Sequence, residues 1–256
     1  MLSTPNKLSY RIEGTFHFVT GMVVDKDDNL ILVDESFLRM YSKDGKYVKE
    51  CELGGIAWDI SSHRKSGRIV VALKVEGIKF VDNFVAQTKI SVKIINCCSG
   101  VTWVDDNVYV SGSDSNGKGR INILDSNGQH ISSVSSVSIV IRRVYYIHHR
   151  DSNIYYIDNN NVYCIKKDGS DVFTFSSPDL KRVNGIDTDR QGNTYVVGFG
   201  SNNILRLSPD GQNSDIIMKK EDGIIRPITL CFSRDFKKLF VSNERGKRVV
   251  VYNCEY

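Results

Sequence analysis

Gly185-Ile-Asp-Thr-Asp-Arg-Gln-Gly-Asn-Thr-Tyr-Val-Val-Gly198 places two short apolar strands on either side of a polar turn. Gly21-Met-Val-Val-Asp-Lys-Asp-Asp-Asn-Leu-Ile-Leu-Val-Asp34 does nearly the same. Weaker copies begin at Ala57, Gly100, Arg143 and Ile228, so successive units start 36, 43, 43, 42 and 43 positions apart. That period matches the ~40–45 residues of a four-stranded propeller blade, a unit that cannot bury its apolar faces alone. Second strands follow at Leu30–Val33, Ile69–Leu73, Val108–Ser111, Ile154–Ile157, Thr194–Val197 and Lys238–Ser242. They are β-branched or aromatic runs bounded by Asp, Asn and Gly.

Third strands run into Asp44-Gly45, Asn127-Gly128, Asp168-Gly169 and Asp210-Gly211, dipeptides suited to hairpins that need positive φ. The sixth unit stops at Tyr256 after its third strand, while an apolar run at Leu8–Gly14 belongs to no other unit. Pairing that run onto the last unit covers an otherwise exposed edge. The expected fold is all-β: one six-bladed β-propeller over 1–256, closed by an N-terminal strand joining the last blade. Approximate blades are 21–53, 57–93, 100–136, 143–177, 185–219, and 228–256 plus 8–14.

Apolar content of 41% and charged content of 25% suit a soluble globular chain. The net charge of +4 arises in the second half, where 18 basic residues meet 14 acidic ones, against 16 of each in the first 128. Such an excess does not by itself point to a polyanion. No apolar stretch reaches the ~18 residues needed to span a bilayer, so no membrane partner is expected. The six cysteines show no CxxC spacing, and no Asn-x-Ser/Thr acceptor occurs. Both features suit a reducing, cytoplasmic setting.

The pattern at Gly185–Gly211 (Gly185, Ile186, Asp189, Gly192-Asn193, Tyr195, Asn203-Ile204, Arg206, Asp210-Gly211) resembles the NHL repeat. Gly21–Gly45 is a second copy, with Asp25, Asn29, Val33 and Asp44-Gly45; the other four blades keep only the strand rhythm. Rings of this kind are similar to the C-terminal domain of tripartite-motif proteins, particularly invertebrate ones. The resemblance implies recognition of a protein partner or ubiquitination substrate, or of single-stranded or stem-loop RNA. Any ubiquitin-ligase chemistry would belong to a RING domain, and no zinc-type Cys/His spacing is present here. The chain is therefore expected not to be an enzyme, with no cofactor and no small-molecule substrate.

Asp25-x-Asp27-x-Asn29 and Asp187-x-Asp189-x-Gln191 imitate the start of a calcium loop, but Ser36 and Gly198 stand where the closing Glu is required. They read as polar turns. The five histidines are scattered, and Cys97-Cys98 falls before blade three. Trp58-Asp59 occurs once, at the start of a first strand, and is not the WD-repeat dipeptide. Gluconolactonase-like propellers resemble the chain at Val183-Asn184-Gly185, yet Arg226-Pro227-Ile228 and Thr20-Gly21 replace the Asp and Glu that such a metal site needs. A lone amide does not fix a hard cation for catalysis.

The remaining candidate is the rim built by loops leading into first strands and joining second to third strands, which carry function on many scaffolds. Arg142, Arg143, Lys181, Arg182, Arg226, Arg245 and Lys247, with Phe37 and Phe199, are the expected partner- or RNA-binding residues. Arg with aromatic platforms suits both protein hot spots and single-stranded RNA. Asp34, Glu35, Glu76, Asp114, Asp158, Asp179, Glu221, Asp222 and Glu244 lie in the same loops, and this mixture favours a protein partner over RNA.

Overall fold

The computed structural model describes residues 4–12, 14–75, 77–87, 90, 97–134 and 144–255. Its strands form six four-stranded antiparallel sheets whose neighbours follow chain order and close into a ring. The inner strands are Val19–Val24, Ala57–Ser62, Cys97–Val104, Tyr146–Arg150, Val183–Thr188 and Thr229–Phe232. The sixth sheet runs inward from Thr4–Arg11 through Arg248–Glu255 and Lys238–Asn243 to Thr229–Phe232, so the N-terminal strand does join the last blade. It starts earlier than the apolar run at Leu8 because backbone pairing, from Thr4 opposite Glu255 to Arg11 opposite Val250, needs no apolar alternation.

Four inner strands also begin earlier than the pattern indicates. Register shifts at Thr20, Trp58, Ser99 and Gly185 are β-bulges, which break the two-residue alternation that marks a strand in sequence. Cys98 consequently lies in an inner strand, buried, and not in a loop.

The described core divides into six apolar clusters, one at each interface between adjacent blades. Val70, Phe80, Val101 and Trp103 join blades two and three, and Tyr195, Ile204, Leu230 and Leu239 join five and six. This is the physical reason for the repeat: each blade's two faces are completed only by its neighbours.

The glycine that opens blades one, three and five serves the same contact. A Cβ on Gly185 would stand 2.4 Å from Thr229 Cα, and one on Gly21 would stand 3.0 Å from Asp59 Cα. Backbones of neighbouring inner strands touch there, with Gly185 N–H donating to Ile228 O at 3.0 Å.

The repeated aspartates belong to the turns. Asp189 Oδ1 accepts the N–H groups of Gln191 and Asn193, and its Oδ2 accepts Asn193 Nδ2 and Tyr195 OH. Asp25 receives Asp27 N, Asn29 N and Asn29 Nδ2 in the same way. Four donors saturate the Asp189 carboxylate and three engage both oxygens of Asp25, so the calcium-like spelling is turn chemistry, as the missing Glu indicates.

Candidate functional site

Loops leading into the inner strands share one face of the ring, the upper face, with the turns between second and third strands. Blades five and six build a continuous arc on it. Phe199 N donates to Arg182 O at 3.1 Å, Arg226 N to Asn202 Oδ1 at 2.8 Å, Arg245 N to Arg226 O at 3.1 Å, and Val19 N to Gly246 O at 3.0 Å. Arg182, Arg226 and Arg245 all have positive φ, at 51°, 44° and 61°. Non-glycine residues hold that conformation only where surrounding bonds fix it. The backbone of the arc is therefore tied by these bonds while the Arg and Lys side chains are exposed.

Sequence placed Lys181, Arg182, Phe199, Arg226, Arg245 and Lys247 together, and the structure brings them onto this arc. The Arg182 guanidinium lies 4.7 Å from the Phe199 ring centre. None of the five cations has an ion-pair partner among the described residues. Phe37 does not join them. It pairs with Glu52 in blade one, near the Arg39 guanidinium at 5.7 Å. Arg142 and Arg143 lie outside the described residues.

Several rim acids are already engaged. Asp34 is buried, accepting His17 N, Phe18 N and Arg39 Nη1. Asp158 holds Asn160, Asn161 and Tyr163, and Asp114 holds its own turn and Arg120. Glu244 pairs with Arg248 at 3.1 Å. Exposed Asp179, Glu221 and Asp222 remain beside the arc, Glu35 is exposed on blade one, and Glu76 lies outside the described residues. The upper face is thus less neutralised than a residue count implies, yet still mixed in sign.

Sequence reasoning missed the centre of this face. Trp58, the bulge residue of blade two, packs against the cluster containing Tyr146, Leu180 and Val183 of blades four and five, with Tyr145 alongside. Phe18 meets Trp58 edge-on at 6.0 Å, and Lys74 lies over the indole at 5.6 Å. Ile56, Val75 and Ile225 are exposed on the loops around them. Phe16, in contrast, is core, packed on Tyr41.

Beneath Trp58 the Tyr146 hydroxyl crosses the ring from blade four and donates to Thr20 O of blade one at 2.9 Å. The axis is therefore obstructed toward the upper face. What remains of the channel is a cup of about 620 Å³ whose lining reaches down to the turns on the opposite, lower face. Asp59, Tyr146 and Cys231 lie deep in it, His148, Asp187 and Ser61 midway, and Arg64, Arg150, Arg234 and Phe236 toward the mouth.

Links between inner strands run through its wall. Asp59 Oδ2 accepts Val101 N at 3.0 Å, Ser61 Oγ accepts Trp103 N at 3.1 Å, and Asp187 Oδ2 accepts Phe232 N at 2.8 Å. His148 Nε2 lies 3.0 Å from Thr188 Oγ1 and 3.3 Å from Asp187 Oδ1.

Burial pushes the Asp59 carboxyl up to about 8, against the opposing effect of the Val101 and Ile60 N–H groups. Burial also lowers His148, although Asp187 opposes it. Burial thus favours the neutral acid at Asp59 near neutral pH. A folded-state pKa above the unfolded value means that the native state holds a proton the unfolded chain releases near 3.8. Stability from this group is full at low pH and is lost as pH rises toward 8. Asp59→Asn keeps an acceptor for Val101 N and removes the slope. Urea unfolding at pH 5 and pH 8.5 should show wild type losing on the order of 4 kcal/mol more than the variant, since about three pH units lie between 5 and the folded value at ~1.4 kcal/mol per unit.

No family model matches the sequence, and no curated protein matches it. Among solved structures, a gluconolactonase from Xanthomonas campestris superposes with a TM-score of 0.77 at 11% identity, covering 96% of this chain and 89% of that one. Virginiamycin B lyase from Staphylococcus aureus gives 0.70 at 14% identity, covering 96% and 99%. The WD40 propeller domain of Doa1 gives 0.67 at 13%, covering 98% and 97%. These likenesses show a β-propeller shared by enzymes and non-enzymes, and no particular chemistry.

The donor set of a lactonase-type metal site does not fit here. Thr20 directs its hydroxyl to Ala57 O at 3.3 Å, and exposed Arg226 brings a cation to the strand start where a carboxylate would be needed. Asn184 alone remains of the three. Among the described residues no three His, Cys, Asp or Glu side chains converge as metal ligands.

Proposed function

We propose that this propeller is a non-catalytic recognition module that binds a protein partner through its upper face, as the recognition end of a tripartite-motif-type protein acting in the cytoplasm. The observation that carries this reading is one surface with two parts. Phe18, Trp58 and Tyr145 supply an aromatic centre, flanked by exposed Ile56, Val75 and Ile225. Beside it, Lys181, Arg182, Arg226, Arg245 and Lys247 form a cationic arc without ion-pair partners among the described residues. Aromatic and Arg anchors characterise protein hot spots, and a desolvated Arg seeks a carboxylate. The partner fitting both parts is a peptide segment with an apolar anchor next to acidic side chains. The NHL-like spelling of Gly185–Gly211 is consistent with this role.

RNA finds the same arginines but little else, since exposed Asp179, Glu221 and Asp222 lie beside them and would repel phosphates. Peptide display against the intact chain should enrich acidic–aromatic sequences. Arg182→Glu, Arg226→Glu and Arg245→Glu together should weaken a selected peptide about 100-fold or more at unchanged melting temperature. No enrichment, combined with tight binding of single-stranded RNA at low salt, would transfer the arc to RNA.

A further inference from the structure

The lower face carries a second feature, independent of the upper one. One arginine from each alternate blade lines the cup toward its mouth: Arg64 from blade two, Arg150 from blade four and Arg234 from blade six. The acids nearby are mostly engaged. Asp105 binds Lys167 at 2.7 Å, Asp106 lies 3.3 Å from His63 Nε2, and Asp151 lies 3.7 Å from Arg150. Arg64 and Arg234 are exposed and have no ion-pair partner among the described residues. Arg150 is held in place over the Phe236 ring at 4.9 Å.

Deeper in the cup the chemistry changes. Asp59 is 7% exposed and Thr102 and Thr229 are about as buried. Together with Ser61 and His148 they offer hydroxyl, carboxyl and imidazole groups able to donate or accept. Trp103 forms one wall, with the His63 ring 4.8 Å from it. A cavity of about 620 Å³ is within the size range of small-molecule sites. A polar pocket of this kind matches a solute that brings its own hydroxyls, whereas a purely apolar ligand would leave these groups without partners.

We propose that the cup binds a small organic anion with a hydroxylated body, of the sugar-phosphate class, its hydroxyls against Asp59, Ser61 and His148 and its phosphate held by Arg64, Arg150 and Arg234. Arginine forks suit phosphate oxygens, and the carboxyl groups of buried Asp59 and partly buried Asp187 disfavour a second anionic group at the floor. Obstruction of the axis by Tyr146 makes entry and exit one-sided. The NHL-like resemblance, from which no small-molecule substrate is expected, does not bear on this cavity.

Glucose 6-phosphate is the test ligand, with glucose and inorganic phosphate as separate arms, titrated calorimetrically against the intact chain. Trp103 fluorescence in Trp58→Phe gives a second readout, since these are the two tryptophans of the chain. Saturable binding of glucose 6-phosphate, with both fragments at least about tenfold weaker, is expected. Arg150→Ala with Arg234→Ala should weaken it about tenfold or more while the melting temperature holds, and Asp59→Asn should weaken it without altering its salt dependence. Phosphate binding as tightly as the whole ligand would reduce the cup to an adventitious anion site and overturn the proposal. So would the absence of saturation by about 10 mM, or undiminished affinity in the double arginine variant. Failure of these tests leaves the upper-face reading untouched, because Asp59, Ser61, His148, Arg64, Arg150 and Arg234 line the cup and none of them belongs to that face.

Discussion

A chain lacking residues 1–11 is expected to lose cooperative unfolding and to associate in solution. The strand Thr4–Arg11 is the outer strand of blade six, and without it Arg248–Glu255 becomes a bare eight-residue edge. More than backbone pairing is lost. Tyr10 packs beside the blade-six and blade-one cluster, donates its hydroxyl to Lys43 O at 2.8 Å, and lies under Lys238 Nζ at 5.2 Å. Ladder bonds at ~1 kcal/mol each and the Tyr10 contacts sum to on the order of 5 kcal/mol, comparable with the whole stability of many domains. A long apolar edge is also a template for self-pairing. Urea denaturation and size-exclusion chromatography check both consequences. A full-length-like midpoint with a monomeric profile would show the closing strand to be dispensable.

Gly185→Val should be the most damaging single substitution. The new Cβ would stand 2.4 Å from Thr229 Cα and 2.8 Å from Thr229 Oγ1, atoms of an inner strand that has no room to retreat. Blades five and six would part, breaking the Gly185 N–H bond to Ile228 O and opening the cluster around Tyr195 and Leu230. Gly185→Ala alone should cost about 3 kcal/mol or more, as overpacking against backbone does. Gly117→Ala is the matched control: its φ is +73° but nothing lies within 4 Å, so about 1 kcal/mol is expected. Equal effects at the two positions would mean that the Thr229 strand yields and that blade contact does not explain the repeat's opening glycine.

The ring and its closure were legible because each blade repeats local chemistry: β-branched runs, an aspartate that saturates its own turn, and Asp-Gly hairpins. Bulges were not legible, since a single extra residue erases the alternation that reveals a strand, as at Trp58 and Ser99. The arc of Arg182, Arg226 and Arg245 was readable from loop position, whereas the engagement of Asp34 and Asp158 depends on side-chain direction. The axial features had no signal at all. Tyr146 and Thr20 are 126 positions apart, and the cup draws only a few residues from each blade, so no window of sequence contains it.

The Tyr146 bond has a mechanical meaning beyond obstructing the axis. Most ties in this molecule run around the circumference, from one blade to the next, and a hoop of that kind can ovalise by small slips at each joint. A strut from blade four to blade one spans a diameter. It converts the hoop into a braced wheel, in which pushing one pair of opposite blades apart stretches the strut directly.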